Sequence, residues 1–434
     1  MDTGHGFSLA AQRLVAPPSG LDLLLIRRDF PGPFRDLLPL WTALPGWRVS
    51  GIGGDASAGA AGVPWRPYRL HRRPGLPPAS ELRLRGEAVA RALQSLGRRG
   101  FRPDVVLADA DSGESLHVKD VFPEARLVLR CARETGAMDA DVPAFLHCDA
   151  AVSPSWWQRN LYPEQVQQQI TVIHEGVHRA TRRADSPARF ITPDGRTLRA
   201  GDPVITFALL DSTRADAAVP VRALERVQQH HPDCQLLLIA ASDPYGDGGH
   251  AAAAQWLRAG NGLDVQRIHL VAGTQPGLGT AALCVSAVHV DLSGRTCLAP
   301  QLLEAMACGC AVVAADVAPV REVARHGVSA CLVDTDDERA LADVLITLLE
   351  QPALRASLGR EAEMEAVRSF DIGTAAQRYA RLLCGQPAAP VPPDCTPDPV
   401  SNECIALHDY AFSALPRRGH AAAAATQLSS TSTA

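Results

Sequence analysis

The stretch Pro300-Gln301-Leu302-Leu303-Glu304-Ala305-Met306-Ala307-Cys308-Gly309-Cys310-Ala311-Val312-Val313-Ala314-Ala315-Asp316 decides the fold. It reads as a helix, a glycine stop, a buried strand and a polar strand end. Pro300 suits the first helical turn, where a missing N–H costs nothing. Leu302, Leu303 and Met306 share one face at helical spacing. Gly309 ends the helix, and Ala311 to Ala315 is the uninterrupted apolar run of a strand covered on both faces. A ligand at such a helix start meets unpaired backbone N–H groups and the positive end of the dipole. Glu304 lies one turn inside, where a carboxylate can accept two hydrogen bonds from vicinal hydroxyls such as those of a ribose. Taken alone, the same string also fits an ordinary helix–strand unit.

Working outward, the pattern repeats. Upstream come a strand over Val204 to Leu209, a helix from Ala217 to Gln229, a strand over Gln235 to Ala240 and a polar loop from Ser242 to Gly249. A helix to Ala259, a strand over Arg267 to Val271, a helix over Thr280 to Val285 and a strand over Ala287 to Leu292 lead into Pro300. Downstream, Leu341, Val344, Leu345, Leu348 and Leu349 make one apolar helical face, and helices are expected from Pro352 to Arg368 and from Ile372 to Leu383. Strands alternating with helices describe a doubly wound parallel sheet.

The first half predicts a second such sheet. Leu21 to Ile26 reads as a buried strand, followed by Gly32 in a turn and a helix from Arg35 to Leu44. A short strand over Arg48 to Gly51, a glycine- and alanine-rich loop to Pro64 and a helix from Ser80 to Leu96 come next. Asp109 ends the strand Asp104 to Ala108, at the end of a parallel strand where α/β folds place their chemistry. Ala125 to Leu129, Ala150 to Ser153 and Ile170 to Ile173 complete the strands. Ser155 is placed to cap a helix that begins with Trp156 and Trp157; flat aromatics there suit stacking on sugar rings as well as anchoring a helix to a sheet. The expected organisation is a loose arm over 1–20, a first domain over 21–177, a linker over 178–202, a second domain over 203–370, a returning helix over 371–384 and a tail over 385–434. Six prolines between Pro387 and Pro399 argue against regular structure in that tail.

The string from Pro300 resembles the donor-site signature of GT-B glycosyltransferases, specifically the large retaining, family 4-like group that uses nucleotide sugars. The continuation Asp316-Val317-Ala318-Pro319-Val320-Arg321-Glu322-Val323 and the turn from Gly327 to Asp334 are similar to the same group. So are Phe30-Pro31-Gly32-Pro33-Phe34, the segment Asp109 to Pro123, and His174-Glu175-Gly176-Val177. The resemblance implies a GT-B α/β fold, two Rossmann-like domains facing a central cleft, and transfer of a hexosyl or related group with retention. It implies donor contacts at Gly32, Tyr245, Gly246, Ala299, Pro300, Gln301 and Glu304, and acceptor-side contacts at Glu114, Trp156 and Trp157; Glu114 equally fits a cap on the helix that follows it. The co-substrate would be a nucleotide diphosphate sugar, with no cofactor and no metal, because helix N–H groups and side chains take the place of a cation.

Departures from the pattern fall on the catalytic positions. The group's histidine corresponds to Asp109, and the arginine and lysine that neutralise the leaving diphosphate correspond to Leu210 and Ala215. A second glutamate corresponds to Thr296. Arg214 and Arg295 are the nearest replacement cations, so Asp109, Arg214 and Arg295 are the catalytic candidates. Two readings therefore stand: a retaining transferase, and a catalytically inactive GT-B protein that binds a nucleotide sugar or a partner in regulation or assembly.

Composition narrows the field further. The chain has 434 residues, enough for two domains each with its own core, and its net charge of -5 speaks against a nucleic-acid partner. The eleven cysteines include no pair of Cys-x-x-Cys units, which disfavours structural zinc and fits a reducing, cytoplasmic setting. No apolar run reaches the length of a membrane span. The acceptor could be a glycan, a lipid-linked molecule or a small molecule, and a peripheral membrane surface or a protein partner, docked through Ile405 to Leu415, stays open.

Overall fold

The computed structural model describes residues 20–54, 57, 59–70, 77–133, 145–178, 188–209, 218–240, 262–272, 277–292 and 300–387. Its first strand, β1 (Leu21–Arg27), shows why the chain folds in layers. Leu23, Leu24, Leu25 and Ile26 are all 0% exposed, so both strand faces are covered. Leu23 and Leu25 point into one core with Trp41 and Tyr379, while Leu24 and Ile26 point into another with Ala88, Val89 and Leu93. Helices on both faces are the condition for an all-parallel sheet.

That first sheet adds β2 (Trp47–Gly53), β3 (Trp65–Pro67), β4 (Val105–Asp109), β5 (Arg126–Arg130), β6 (Ala150–Ser153) and β7 (Ile170–Val172), in the order β3-β2-β1-β4-β5-β6-β7. A hairpin, β8 (Arg189–Ile191) and β9 (Thr197–Arg199), leads to the second sheet. The second sheet holds β10 (Val204–Leu209), β11 (Gln235–Ala240), β12 (Ile268–Ala272), β13 (Val288–Asp291), β14 (Ala311–Ala315) and β15 (Cys331–Val333), in the order β12-β11-β10-β13-β14-β15. Every pairing within both sheets is parallel. The strand order reverses between β1 and β4 and again between β10 and β13. Each sheet thus has a switch point where a crevice opens outside the strand ends. The architecture is the expected one, two Rossmann-like sheets facing a central cleft.

The chain crosses between the halves twice, side by side. The N–H of Val177 donates to the Phe370 carbonyl at 2.8 Å, and the N–H of Ile372 donates to the Val177 carbonyl at 3.2 Å. The helix Ile372–Leu383 then packs on the first sheet, burying Ile372, Tyr379, Leu382 and Leu383. Each such side chain contributes about 1.5–3 kcal/mol when fully covered. Trp41 donates its indole N–H to the Ala376 carbonyl at 3.4 Å, and Tyr379 donates its hydroxyl to Ile173 at 3.2 Å.

One local expectation is corrected. The helix expected from Arg35 to Leu44 is a 3-10 turn, Gly32–Phe34, and a separate helix, Leu38–Thr42. Pro39 has no N–H for the Arg35 carbonyl, so a single helix cannot run through. The edge strand β3 was not legible: it is three residues long and ends in Pro67, which an edge tolerates. The segment 178–202 carries the β8–β9 hairpin, turned at Asp194-Gly195, with Gly195 at φ +88. Nearly all of the arm over 1–20 and the tail over 385–434 lies outside the described residues, as do the loop 242–249 and the helix expected to end at Ala259. No helix among the described residues is long and apolar enough to cross a membrane.

Candidate functional site

The helix Pro300–Ala307 follows β13 and precedes β14. Leu302, Leu303 and Met306 are buried in the core of the second half, as their spacing predicts. Gly309, at φ +66, closes the helix: its N–H reaches the Met306 carbonyl at 2.8 Å and that of Cys310 reaches Ala305 at 3.1 Å. This double closure is available cheaply only to a glycine in the left-handed region. Glu304 and Gln301 remain half-buried, on the side of the helix away from that core. Burial raises the Glu304 carboxyl above its usual range, Asp36 raises it further and Arg35 opposes the shift. Residues 35–36 follow β1, so the β1 loop and the Pro300 helix share one cleft.

Beneath that loop lies Arg27, the last residue of β1. A Cβ on Gly32 would sit 2.5 Å from the Arg27 Nε, so the loop backbone rests on the guanidinium. Arg27 pairs with Asp29 at 2.9 Å and with Asp109, the last residue of β4, at 2.8 Å. Arg130, the last residue of β5, lies 3.6 Å from the same Asp109 oxygen and 2.7 Å from Glu175. The Phe34 ring lies 5.9 Å from the Arg27 guanidinium and 5.8 Å from that of Arg130. The switch-point crevice between β1 and β4 is therefore filled by an ion pair. Burial works to lower the Arg130 pKa, but Glu175 and Asp109 outweigh it and hold the group charged. Burial likewise opposes ionisation of Glu175, yet Arg130 keeps it below the usual range. His174 is pushed down by burial, and its Nδ1 accepts the Gly176 N–H at 2.9 Å.

Glu114 is 0% exposed. The hydroxyls of Tyr68 and Ser112 donate to its two oxygens, and burial raises its carboxyl. These bonds engage both carboxylate oxygens inside the first half. Trp156 and Trp157 are half-buried and open the helix Trp156–Arg159, which Ser155 caps by accepting the Gln158 N–H at 3.1 Å. The Arg159 guanidinium lies 5.3 Å from the Trp156 ring. Both tryptophan N–H groups donate to Glu322 of the second half, at 2.7 and 2.9 Å.

Arg214, Tyr245, Gly246, Arg295 and Ala299 lie outside the described residues, as do Leu210, Ala215 and Thr296. The segments 210–217, after β10, and 293–299, after β13, are thus outside the described residues. Sequence reasoning passed over Arg27, Arg130 and Glu322. A signal was present for the first two: Arg27, Asp109 and Arg130 each follow an apolar run at the end of its strand, and parallel strand ends converge. Among the described residues no cluster of three or more His, Cys, Asp or Glu side chains is placed to hold a metal.

Comparison with known proteins agrees with this fold. The family "Glycosyl transferases group 1" matches residues 203–351, and "Glycosyl transferase family 4 group" matches 47–131 and 137–181. Over 188 residues the chain is 32% identical to a phosphatidyl-myo-inositol mannosyltransferase of Mycobacterium tuberculosis, a match covering 42% of this chain and 47% of that protein. The chain thus spans about half the length of that relative. HepE of Anabaena, solved in complex with UDP and glucose, superimposes with a TM-score of 0.60 at 17% identity, covering 84% of this chain and 99% of HepE. The N-terminal domain of trehalose-6-phosphate phosphatase from Candida albicans gives a TM-score of 0.63 at 11% identity, covering 85% of this chain and 98% of that one. The chain has the GT-B fold and is related to glycosyltransferases of the family 4 and group 1 types.

Proposed function

We propose that the protein is a retaining glycosyltransferase that moves a sugar from a nucleotide diphosphate sugar to an acceptor hydroxyl. The observation that carries this reading is the half-buried Glu304, one turn into the Pro300 helix, electrostatically coupled to Asp36 and Arg35 of the β1 loop. In this reading the ribose bonds Glu304 and the diphosphate leaves toward the helix start, where unpaired N–H groups stabilise its growing charge. Ala299, Gln301, Tyr245 and Gly246 line the donor side, and Gly32 lets the β1 loop approach the phosphates. Arg214 and Arg295 supply cations to the leaving group. Asp109 holds Arg27 and Arg130 in the wall opposite the donor, and Trp156 and Trp157 face the acceptor. Residues 21–177 form the acceptor-side domain and 203–370 the donor domain, joined by 178–202 and by the returning helix over 371–384. The inositol named for the mannosyltransferase relative makes a polyol headgroup the first acceptor to try.

A second reading, a catalytically inactive GT-B protein that binds a nucleotide sugar or a partner, is favoured by one observation. Asp109 stands where the resemblance places a histidine, and it is committed to two arginines. Thermal-shift screening against UDP-, GDP-, ADP- and dTDP-sugars, followed by donor-hydrolysis assays on each hit, separates the two. Turnover supports the transferase, binding without turnover supports the second reading, and no shift with any donor removes the transferase and leaves the second reading only as a partner-binding protein.

A further inference from the structure

The helix Trp156–Arg159 opens with three N–H groups that have no partner inside the helix. Ser155 accepts one of them, from Gln158. The other two, from Trp156 and Trp157, each donate to one oxygen of Glu322, at 2.7 and 2.9 Å. The cap of this helix in the first half is therefore completed by a carboxylate of the second half, more than 160 residues along the chain.

Glu322 is held firmly where it stands. It follows the short helix Ala318–Arg321, whose Val320 is buried in the core of the second half, as is Val323 on the other side of Glu322. Arg321 clasps Asp316, at the end of β14, through two bonds of 2.6 and 2.9 Å. The loop is thereby fixed to the strand that follows the Pro300 helix. The covalent links between the halves run past Val177 and Phe370–Ile372, at the crossing. The Glu322 contact is a separate, non-covalent tie across the cleft.

We infer that Glu322 is a positioning residue: it ties the Trp156-Trp157 helix to the donor half, so that the acceptor side and the donor site move as one unit when the cleft is closed. The inference rests on the proposed function for its consequence in turnover, but not for the tie itself. Two charge-assisted hydrogen bonds to backbone N–H groups are strong enough to decide between a closed and an open cleft, which are separated by only a few kcal/mol in a two-state protein.

The test compares wild type with Glu322→Ala and Glu322→Gln in the full chain. The amide keeps one acceptor oxygen and places an N–H against the other donor; alanine removes both acceptors. Hydrogen–deuterium exchange of the segment 154–160 should rise about tenfold or more in Glu322→Ala and by less in Glu322→Gln. The maximum dimension from small-angle scattering should grow in the same order. UDP affinity should stay within about twofold, because the Pro300 helix is untouched, while kcat for donor hydrolysis falls and the donor KM holds. Unchanged exchange and dimension in Glu322→Ala would overturn the tie. Loss of UDP affinity in step with kcat would make Glu322 part of the donor site instead. Should wild type bind neither UDP nor any of the UDP-, GDP-, ADP- and dTDP-sugars, the proposed function loses its support while exchange and scattering still decide this inference. Should Glu322→Ala not fold, the same readings on Glu322→Gln decide it.

Discussion

Gly176 lies against Ile372 where the two chain crossings run together: a Cβ there would sit 2.6 Å from the Ile372 Cα and 2.9 Å from the Ala375 Cβ. Gly176 also has φ +84, a region that costs a side-chain-bearing residue about 1–2 kcal/mol. Overpacking adds about 1–3 kcal/mol. Gly176→Ala should therefore lose about 2–5 kcal/mol of stability, read from the denaturant midpoint. A loss below about 0.5 kcal/mol, the range of ordinary surface changes, would mean that the crossing relaxes freely.

Glu114 gives the fold a pH dependence of known sign. Its ordinary carboxyl value is 4.5, and burial raises it in the folded state against the pull of the Tyr68 and Ser112 hydroxyls. The folded chain therefore holds this proton more tightly than the unfolded chain does. The stability this contributes is fully present below the unfolded value and is lost as pH rises through the raised folded value. Glutamine at 114 does not titrate. Wild type minus Glu114→Gln stability should accordingly shrink as pH rises from about 4.5 toward neutrality. A difference that is flat over that window, by urea melts, would remove Glu114 as the source.

The strands were legible because both sheets are parallel and covered on both faces, which demands continuous apolar runs such as Ala311 to Ala315 and Leu23 to Ile26. The Pro300 helix was legible for the complementary reason, since proline, an apolar stripe and Gly309 mark its start, face and end. What the sequence hid is long-range and polar. Glu322 and Trp156 are 166 residues apart, and no local pattern announces that a carboxylate will cap a helix in the other half. Asp109 is legible as a candidate at a strand end. Its pairing with Arg27 and Arg130 depends on the strand order β1-β4-β5, which periodicity does not give. The bond from Tyr68 to Glu114 is hidden likewise, because Tyr68 lies 46 residues earlier, beyond a strand too short to recognise.

Asp109 can be tested as a counter-ion. It is 17% exposed and shared by two nearly buried guanidinium groups. In Asp109→Ala, Arg27 keeps Asp29 and Arg130 keeps Glu175, so neither cation is stranded. The expected loss is one charged hydrogen bond, about 1.5–3 kcal/mol of stability, with donor affinity unchanged. A double-mutant cycle with Arg27→Ala should return a coupling of at least about 0.5 kcal/mol. If Asp109 instead acts on the substrate, kcat should drop by about a hundredfold or more with little change in melting, and the counter-ion role would fail.

Glu304 is the position on which the functional reading rests most. As an acceptor of two ribose hydroxyl bonds, its carboxylate forms charge-assisted contacts worth about 1.5–3 kcal/mol, against about 1 for neutral ones. Glu304→Gln keeps the shape and one acceptor oxygen but removes the charge. The expected cost is about 1–2 kcal/mol of nucleotide affinity, near a tenfold rise in Kd for the nucleotide that gives the largest thermal shift. Folding should not suffer, because glutamate and glutamine have similar helix propensity and Glu304 carries a raised carboxyl that burial already disfavours in its ionised form. The variant should thus melt at or slightly above the wild-type temperature at neutral pH while binding the nucleotide more weakly. Isothermal titration and melting on the same samples read both quantities. Equal affinities would place the ribose elsewhere in the cleft and leave the transferase assignment resting on the fold and the family relationship alone.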